Sequence, residues 1–245
     1  MSTVTRLGML TPSSNTVLEP VTYAMLAGVP DVTAHFGRFP VTEIALSAAA
    51  LGQFDDSNIL RAAELLAHAK VDVIAWNGTS AGWLGFEADE RLCERITGAT
   101  GLPARTTVLA YRAIFQHAGH DRVALVTPYT TDVQARIQAN WGAAGFGCRS
   151  ERHLSISDNF SFSQVAPDTI EGMIRAVVAE GCDAVAVFCT NLNGAAVSAR
   201  MERELGVPVL DSVAVTLWDC LSATGVDTAR VKGWGRLFET SRPND

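Results

Sequence analysis

The chain has 245 residues, 48% of them hydrophobic and 18% charged, with a formal net charge of −7. That length and apolar content suffice for one large α/β domain or two lobes, and the acidic balance argues against nucleic acid or an anionic membrane surface as partner. No apolar run approaches the ~20 residues of a membrane span, and the opening "MSTVTRLGML" lacks the features of a signal peptide, so the expected location is the cytoplasm.

Short apolar runs alternate with helical patterns along the chain. "RLGML" (6–10) reads as the first strand, and "AHFGRFPV" (34–41) as another. A helix is expected over 56–69, with Ile59, Leu60, Ala63, Leu66 and Ala67 on one face and Asp56 or Ser57 as cap. "VDVIAW" (71–76), "RVALV" (122–126), "DAVAVF" (183–188) and "VPVL" (207–210) are further strands. A second helix is expected over 168–180, with Ile170, Met173, Ile174, Val177 and Val178 on one face behind Asp168. Most of the strands are apolar throughout rather than alternating, as parallel strands covered on both faces should be. Strand–helix alternation of this kind implies a parallel α/β sheet.

The chain also repeats itself. "RLGMLTPSSNTV" (6–17) resembles "RVALVTPYTTDV" (122–133), "VDVIAWNGTS" (71–80) resembles "CDAVAVFCTN" (182–191), and "GLPARTTV" (101–108) resembles "GVPVLDSV" (206–213). The offsets of 116, 111 and 105 fit two copies of one unit with small deletions. The expected architecture is therefore two pseudo-symmetric lobes, each a parallel sheet flanked by helices. Residues 1–106 with 216–245 would form the first lobe and 107–215 the second. Ligands of open α/β sheets bind beyond the carboxyl ends of the strands. Four loops would then surround one narrow cleft: 11–16, 77–83, 127–132 and 189–194.

Each loop ends a strand and precedes a helix, where unpaired N–H groups suit carboxylates. The loops carry Thr11, Ser13, Ser14 and Asn15, then Thr79 and Ser80, then Thr127, Tyr129 and Thr130, then Thr190 and Asn191. Ordinary helix capping accounts for such residues in any single loop; four converging loops favour an anion site. No phosphate-binding glycine motif follows a strand, so no nucleotide cofactor is expected. The five cysteines include no C-x-x-C pair, and His117 and His120 read as solvated residues at a helix end, so neither a metal nor a disulfide framework is expected. A small acid and one thiol remain. Cys189 stands at a strand end, where a thiol is more reactive than in a core, and the repeat makes Gly78 its counterpart: "GTS" against "CTN". Cys93 and Cys182 read as core or helix-face residues, and Cys220 lies in the helical stretch "LWDCL".

At these residues the chain resembles the aspartate/glutamate racemase superfamily, in its maleate cis–trans isomerase and arylmalonate decarboxylase branches. "TPSSNTVLEP" (11–20) and "CTNLN" (189–193) are similar to the isomerases; "GTS" (78–80), "TPY" (127–129), the position of Cys189 and "GWGRLF" (233–238) are similar to the decarboxylases. The resemblance implies that Asn15 binds a substrate carboxylate, that Thr79, Ser80 and Tyr129 form a pocket for the carboxylate and its enediolate, and that Cys189 donates a proton. Pro12, Gly78, Trp83, Val41, Thr190 and Asn191 are expected to bind substrate beside them. Gly78 departs from the isomerases, which carry a nucleophilic cysteine there. Arg38 lies where the decarboxylase pocket has an aliphatic residue; it is expected either to reach solvent or to bind a second carboxylate.

The expected activity is cofactor-independent decarboxylation of a substituted malonate-like diacid. One carboxylate would sit in a drier part of the cleft near Trp83, Val41 and Phe160. The enediolate left by loss of carbon dioxide would be protonated by Cys189 from one face. The thiol's pKa is expected to fall near operating pH, as a compromise between burial and a helix N-terminus. Two alternatives stand beside this: an isomerase or racemase acting on a small dicarboxylate, and a non-catalytic carboxylate-binding protein. The sequence leaves monomer and homo-oligomer undecided.

Overall fold

The computed structural model describes residues 4–47, 50, 52, 53 and 56–240. In the first half, β1 (Thr5–Pro12), β2 (Val32–Phe39), β3 (Val73–Trp76) and β4 (Ala104–Thr106) form a sheet in the order β2-β1-β3-β4. In the second, β5 (Val123–Thr127), β6 (Glu151–His153), β7 (Ala184–Val187) and β8 (Val209–Asp211) repeat that order as β6-β5-β7-β8. Every pairing within the two sheets is parallel. The expected two-lobe α/β architecture is present.

The duplication reaches individual hydrogen bonds. The Arg6 amide donates to the Asp72 carboxylate at 2.7 Å, and the Arg122 amide to the Asp183 carboxylate at 3.0 Å. At the other end of the same strands, the Asn77 amide donates to the Leu10 carbonyl at 3.1 Å and the Phe188 amide to the Val126 carbonyl at 2.9 Å. These bonds set the register of the two central strands in each sheet, so the loops at their carboxyl ends leave the two sheets at matching places.

The helices are α1 (Leu18–Leu26), α2 (Asp56–His68), α3 (Ala81–Leu84), α4 (Phe86–Thr100), α5 (Thr107–Ala118), α6 (Thr131–Ala143), α7 (Asn159–Phe162), α8 (Pro167–Ala179), α9 (Ala195–Leu205) and α10 (Ser212–Ala223). The faces expected on α2 and α8 are the inward ones: Ile59, Ala63 and Leu66, then Ile170, Met173, Ile174 and Val177, are buried, while Leu60, Ala67 and Val178 are half-buried at the margins. Their caps differ from expectation. Ser57 lies inside the first turn of α2, and the Asp56 side chain lies outside the described residues. The α8 helix starts at Pro167, whose fixed φ suits the first turn, so Asp168 is a first-turn acid rather than the cap. The short strands β4 and β6 carry no apolar run of their own; neighbouring strands supply their order.

The two helices that follow the last strand of each lobe sit in the interface. Thr107 of α5 and Thr216 of α10 share a hydrogen bond of 2.7 Å. Helix α10 packs on β3, β4 and β8, and Tyr111 of α5 donates its hydroxyl toward the carbonyls of Val187 and Leu210 in the second sheet. Each lobe thus lends a helix to the other, which fixes how the two carboxyl edges face one another. No helix among the described residues is long and apolar enough to cross a membrane.

Candidate active site

The carboxyl ends of both sheets open on one small cavity of about 20 Å³. Its lining residues are Pro12, Val41, Ile44, Trp76, Gly78, Thr79, Ser80, Trp83, Tyr129, Asn159, Cys189 and Thr190. Each of the four expected loops contributes. A short antiparallel contact lies beside the cavity: the Ile44 amide donates to the Ser157 carbonyl at 2.9 Å, and the Asn159 amide to the Thr42 carbonyl at 2.9 Å. Ser14 holds this contact, donating to the Val41 carbonyl at 2.7 Å and accepting from the Asn159 amide group at 2.8 Å.

Capping does not explain the polar residues of the cavity. Ser80 makes no side-chain cap bond to the helix it precedes. Thr79 instead shares a 2.5 Å hydrogen bond with the Tyr129 hydroxyl across the lobes. Trp83 and Phe162 meet the Tyr129 ring edge-on, at centroid distances of 5.4 and 5.6 Å. Such packing holds the phenol in one orientation.

Cys189 follows β7 by two residues and is 3% exposed. Burial pushes its thiol up to about 11, offset in part by the nearby Tyr129 hydroxyl and the Asn191 and Leu192 amides. Burial outweighs the favourable N–H groups, so the group is a thiol at neutral pH rather than one poised near it as expected. Behind it lies Asp211, fully buried, whose carboxyl is raised to about 7 by burial. One Asp211 oxygen caps α10 by accepting from the Val213 and Ala214 amides at 2.9 and 3.2 Å.

Nine of the twelve residues expected at the site line the cavity: Pro12, Val41, Gly78, Thr79, Ser80, Trp83, Tyr129, Cys189 and Thr190. Asn15 does not. Its oxygen accepts from the Val17 and Leu18 amides at 3.0 and 2.9 Å, capping α1, and its amide group donates to Thr190 at 3.1 Å. Asn191 likewise ties the lobes together, accepting from the Thr16 amide at 3.0 Å and donating to the Asn159 carbonyl at 2.5 Å. Of the two roles expected for Arg38, its position matches the solvent-facing one. Its guanidinium pairs with Glu19 at 2.7 Å and donates to the Ser13 and Asn15 carbonyls, both at 2.9 Å, outside the cavity. Phe160 is 50% exposed and does not line the cavity.

Sequence reasoning missed Trp76, Ile44 and Asn159. Trp76 carried a signal: residues two apart on a strand share a side, so a tryptophan two before a glycine at a strand end marks a bulky–bare pair. Ile44 and Asn159 lie in segments brought together only by tertiary structure. Among the described residues, no group of three or more His, Cys, Asp or Glu side chains gathers as a metal site would require.

The sequence profile of the arylmalonate decarboxylase family matches residues 17–238. The arylmalonate decarboxylase of Bordetella bronchiseptica is 31% identical over 69% of this chain and 72% of its own length. The maleate isomerase of Pseudomonas putida is 26% identical over 97% of this chain and 98% of its own. Among solved structures, the maleate isomerase Iso of Pseudomonas putida S16 superposes with a TM-score of 0.87 at 26% identity, over 96% of this chain and 98% of that one. A liganded arylmalonate decarboxylase carrying a glycine-to-cysteine and a cysteine-to-serine replacement superposes with a TM-score of 0.83 at 25% identity, over 96% and 99%. This two-lobed chain, with one thiol at the shared carboxyl edge of its sheets, belongs to the arylmalonate decarboxylase family.

Proposed function

We propose that the protein decarboxylates a substituted malonate-like diacid without a cofactor. The observation that carries this reading is the asymmetry of the cavity: a protonated thiol at Cys189 in one lobe and no side chain at Gly78 in the other. One carboxylate is held by Thr79, Ser80 and Tyr129. The other faces the drier surface made by Val41, Ile44 and Trp83, where weak solvation favours neutral carbon dioxide over a carboxylate. The bond between the α-carbon and that carboxylate breaks, and its electron pair passes into the retained carboxylate as an enediolate. The hydroxyls of Thr79, Ser80 and Tyr129 stabilise that charge, an effect worth ~3 kcal/mol per donor. The proton of Cys189 then moves to the α-carbon from the second-lobe face, and solvent returns a proton to the thiolate. Asn15 and Asn191 act indirectly here, by fixing Thr190 and the antiparallel contact. This reading assigns residues 1–106 with 216–245 to the bare wall and 107–215 to the thiol wall.

A thiol raised to about 11 is a competent acid toward a carbanion but a poor resting nucleophile. That supports protonation over covalent addition. A second reading, cis–trans isomerisation of a small dicarboxylate, is favoured by the likeness to maleate isomerases over 97% of the chain; one such structure was solved with maleate. Incubation with substituted malonates and with maleate in deuterated water separates the two. Decarboxylation releases carbon dioxide and places one deuterium on the product. Release of no gas, with fumarate formed from maleate, would overturn the decarboxylase reading.

A further inference from the structure

A side chain at residue 78 has no room in this protein. A Cβ built on Gly78 would lie 1.9 Å from one carbon of the Trp76 indole and 2.3 and 2.5 Å from two others. The indole therefore covers the bare wall and takes the place that a first-lobe side chain would fill. In the second lobe the corresponding residues are Val187 and Cys189: a small residue two before a residue with a side chain.

Residues of its own lobe hold the indole. Trp76 is 1% exposed, and its ring lies against Phe39 with centroids 5.1 Å apart. Its N–H points to the Ser80 hydroxyl at 3.4 Å. Its backbone is paired between Leu10 and Thr106 in the sheet.

Resting on the malonate reading above, we propose that Trp76 is the specificity-determining residue of this site: its indole, pressed over Gly78, fills space beside the α-carbon and favours a small substituent there over an aryl ring. The substrate class is then a short alkyl malonate, with methylmalonate as the probe and phenylmalonate as the excluded acid. The residue acts by filling space next to the reacting carbon, so its replacement changes selectivity more than it changes the chemistry of Cys189.

The test compares wild type with Trp76→Leu on the two malonates, by carbon dioxide release. Wild type is expected to prefer methylmalonate by about 100-fold or more in kcat/KM, and Trp76→Leu to narrow that ratio at least 10-fold, chiefly by lowering KM for phenylmalonate. Equal use of both acids by wild type, or a ratio unchanged in Trp76→Leu, overturns the proposal while leaving the decarboxylase reading intact. Release of gas from neither acid overturns the decarboxylase reading, and the same pair is then compared by calorimetric binding to Cys189→Ser with and without Trp76→Leu. Tighter binding of methylmalonate, relaxed by Trp76→Leu, upholds the size filter; equal binding, or binding of neither acid, overturns it. If Trp76→Leu does not fold, Trp76→Phe replaces it, with the same outcomes expected at smaller size.

Discussion

The two walls of the cavity begin as copies and end as opposites. In the second lobe, Val187 is small and Cys189 bears a thiol; in the first, Trp76 is large and Gly78 bears nothing. In the function proposed above, one backbone position serves chemistry and its twin serves shape. The next strand diverges too. Thr106 caps α5 with a hydroxyl that accepts from the Leu109 amide at 3.2 Å, whereas Asp211 caps α10 with a buried carboxyl. A duplicated fold supplies two equivalent sheet edges, and side-chain volume and charge make them different.

The largest effect expected is at the thiol itself. Cys189→Ala should lower kcat for the decarboxylation by about 10³-fold or more while binding of the diacid is retained, since a positioned acid typically contributes ~10²–10⁴-fold. Tyr129→Phe comes next. It removes a proposed donor to the enediolate and the hydrogen bond to Thr79, and should cost ~10²–10³-fold in kcat. A KM effect without a kcat effect would show that Tyr129 serves only binding.

Gly78→Cys tries to make the walls alike. The indole obstructs it, so the variant should lose ~1–3 kcal/mol in denaturant unfolding, and Trp76→Leu in the same chain should recover part of that loss. Additive losses would mean that the indole and residue 78 do not compete for the same space. Two-sided proton exchange on a chiral product is expected in the double variant and not in Gly78→Cys alone.

Asp211 makes a pH prediction with a definite sign. Its folded pKa of about 7 lies above the ordinary 3.8, so the folded chain keeps a proton that the unfolded chain has released between those values. Stability therefore falls as pH rises across that window, and Asp89, also raised to about 7 by burial, adds to the same slope. Asp211→Asn should flatten the decline between pH 4 and pH 8 by an amount on the order of 3 kcal/mol, read from urea melts at each pH; an unchanged slope would show that Asp211 stays ionised when folded. The thiol should also alkylate slowly at pH 8, gaining about tenfold per pH unit, when followed by peptide mass spectrometry. A plateau below pH 9 would remove Cys189 from the role of a protonated acid.

Arg38→Ala is expected to do least. Its pair with Glu19 is exposed, with side-chain exposures of 40% and 31%; loss of stability should stay within ~1 kcal/mol, and KM for the diacid should not change. A large rise in KM would return Arg38 to the substrate.

The sequence determined the central strands of both sheets and the loops that follow them, but not β4 and β6. Uniformly apolar strands can pack only between two helical layers, and three ordered repeats imply two such units, so the positions of Thr79, Ser80, Tyr129 and Cys189 at strand ends were legible. Tertiary structure alone decided what those loops meet. Asn15 and Arg38 have side chains suited to a carboxylate, but a helix start and Glu19 lie nearer to them than the cavity does. Asn159 and Ile44 reach the site through a contact between segments far apart in the chain. The thiol's charge state was likewise settled by burial, which depends on every neighbour at once. Local pattern fixes which way a residue points from its own backbone; only the packed lobes fix what stands opposite.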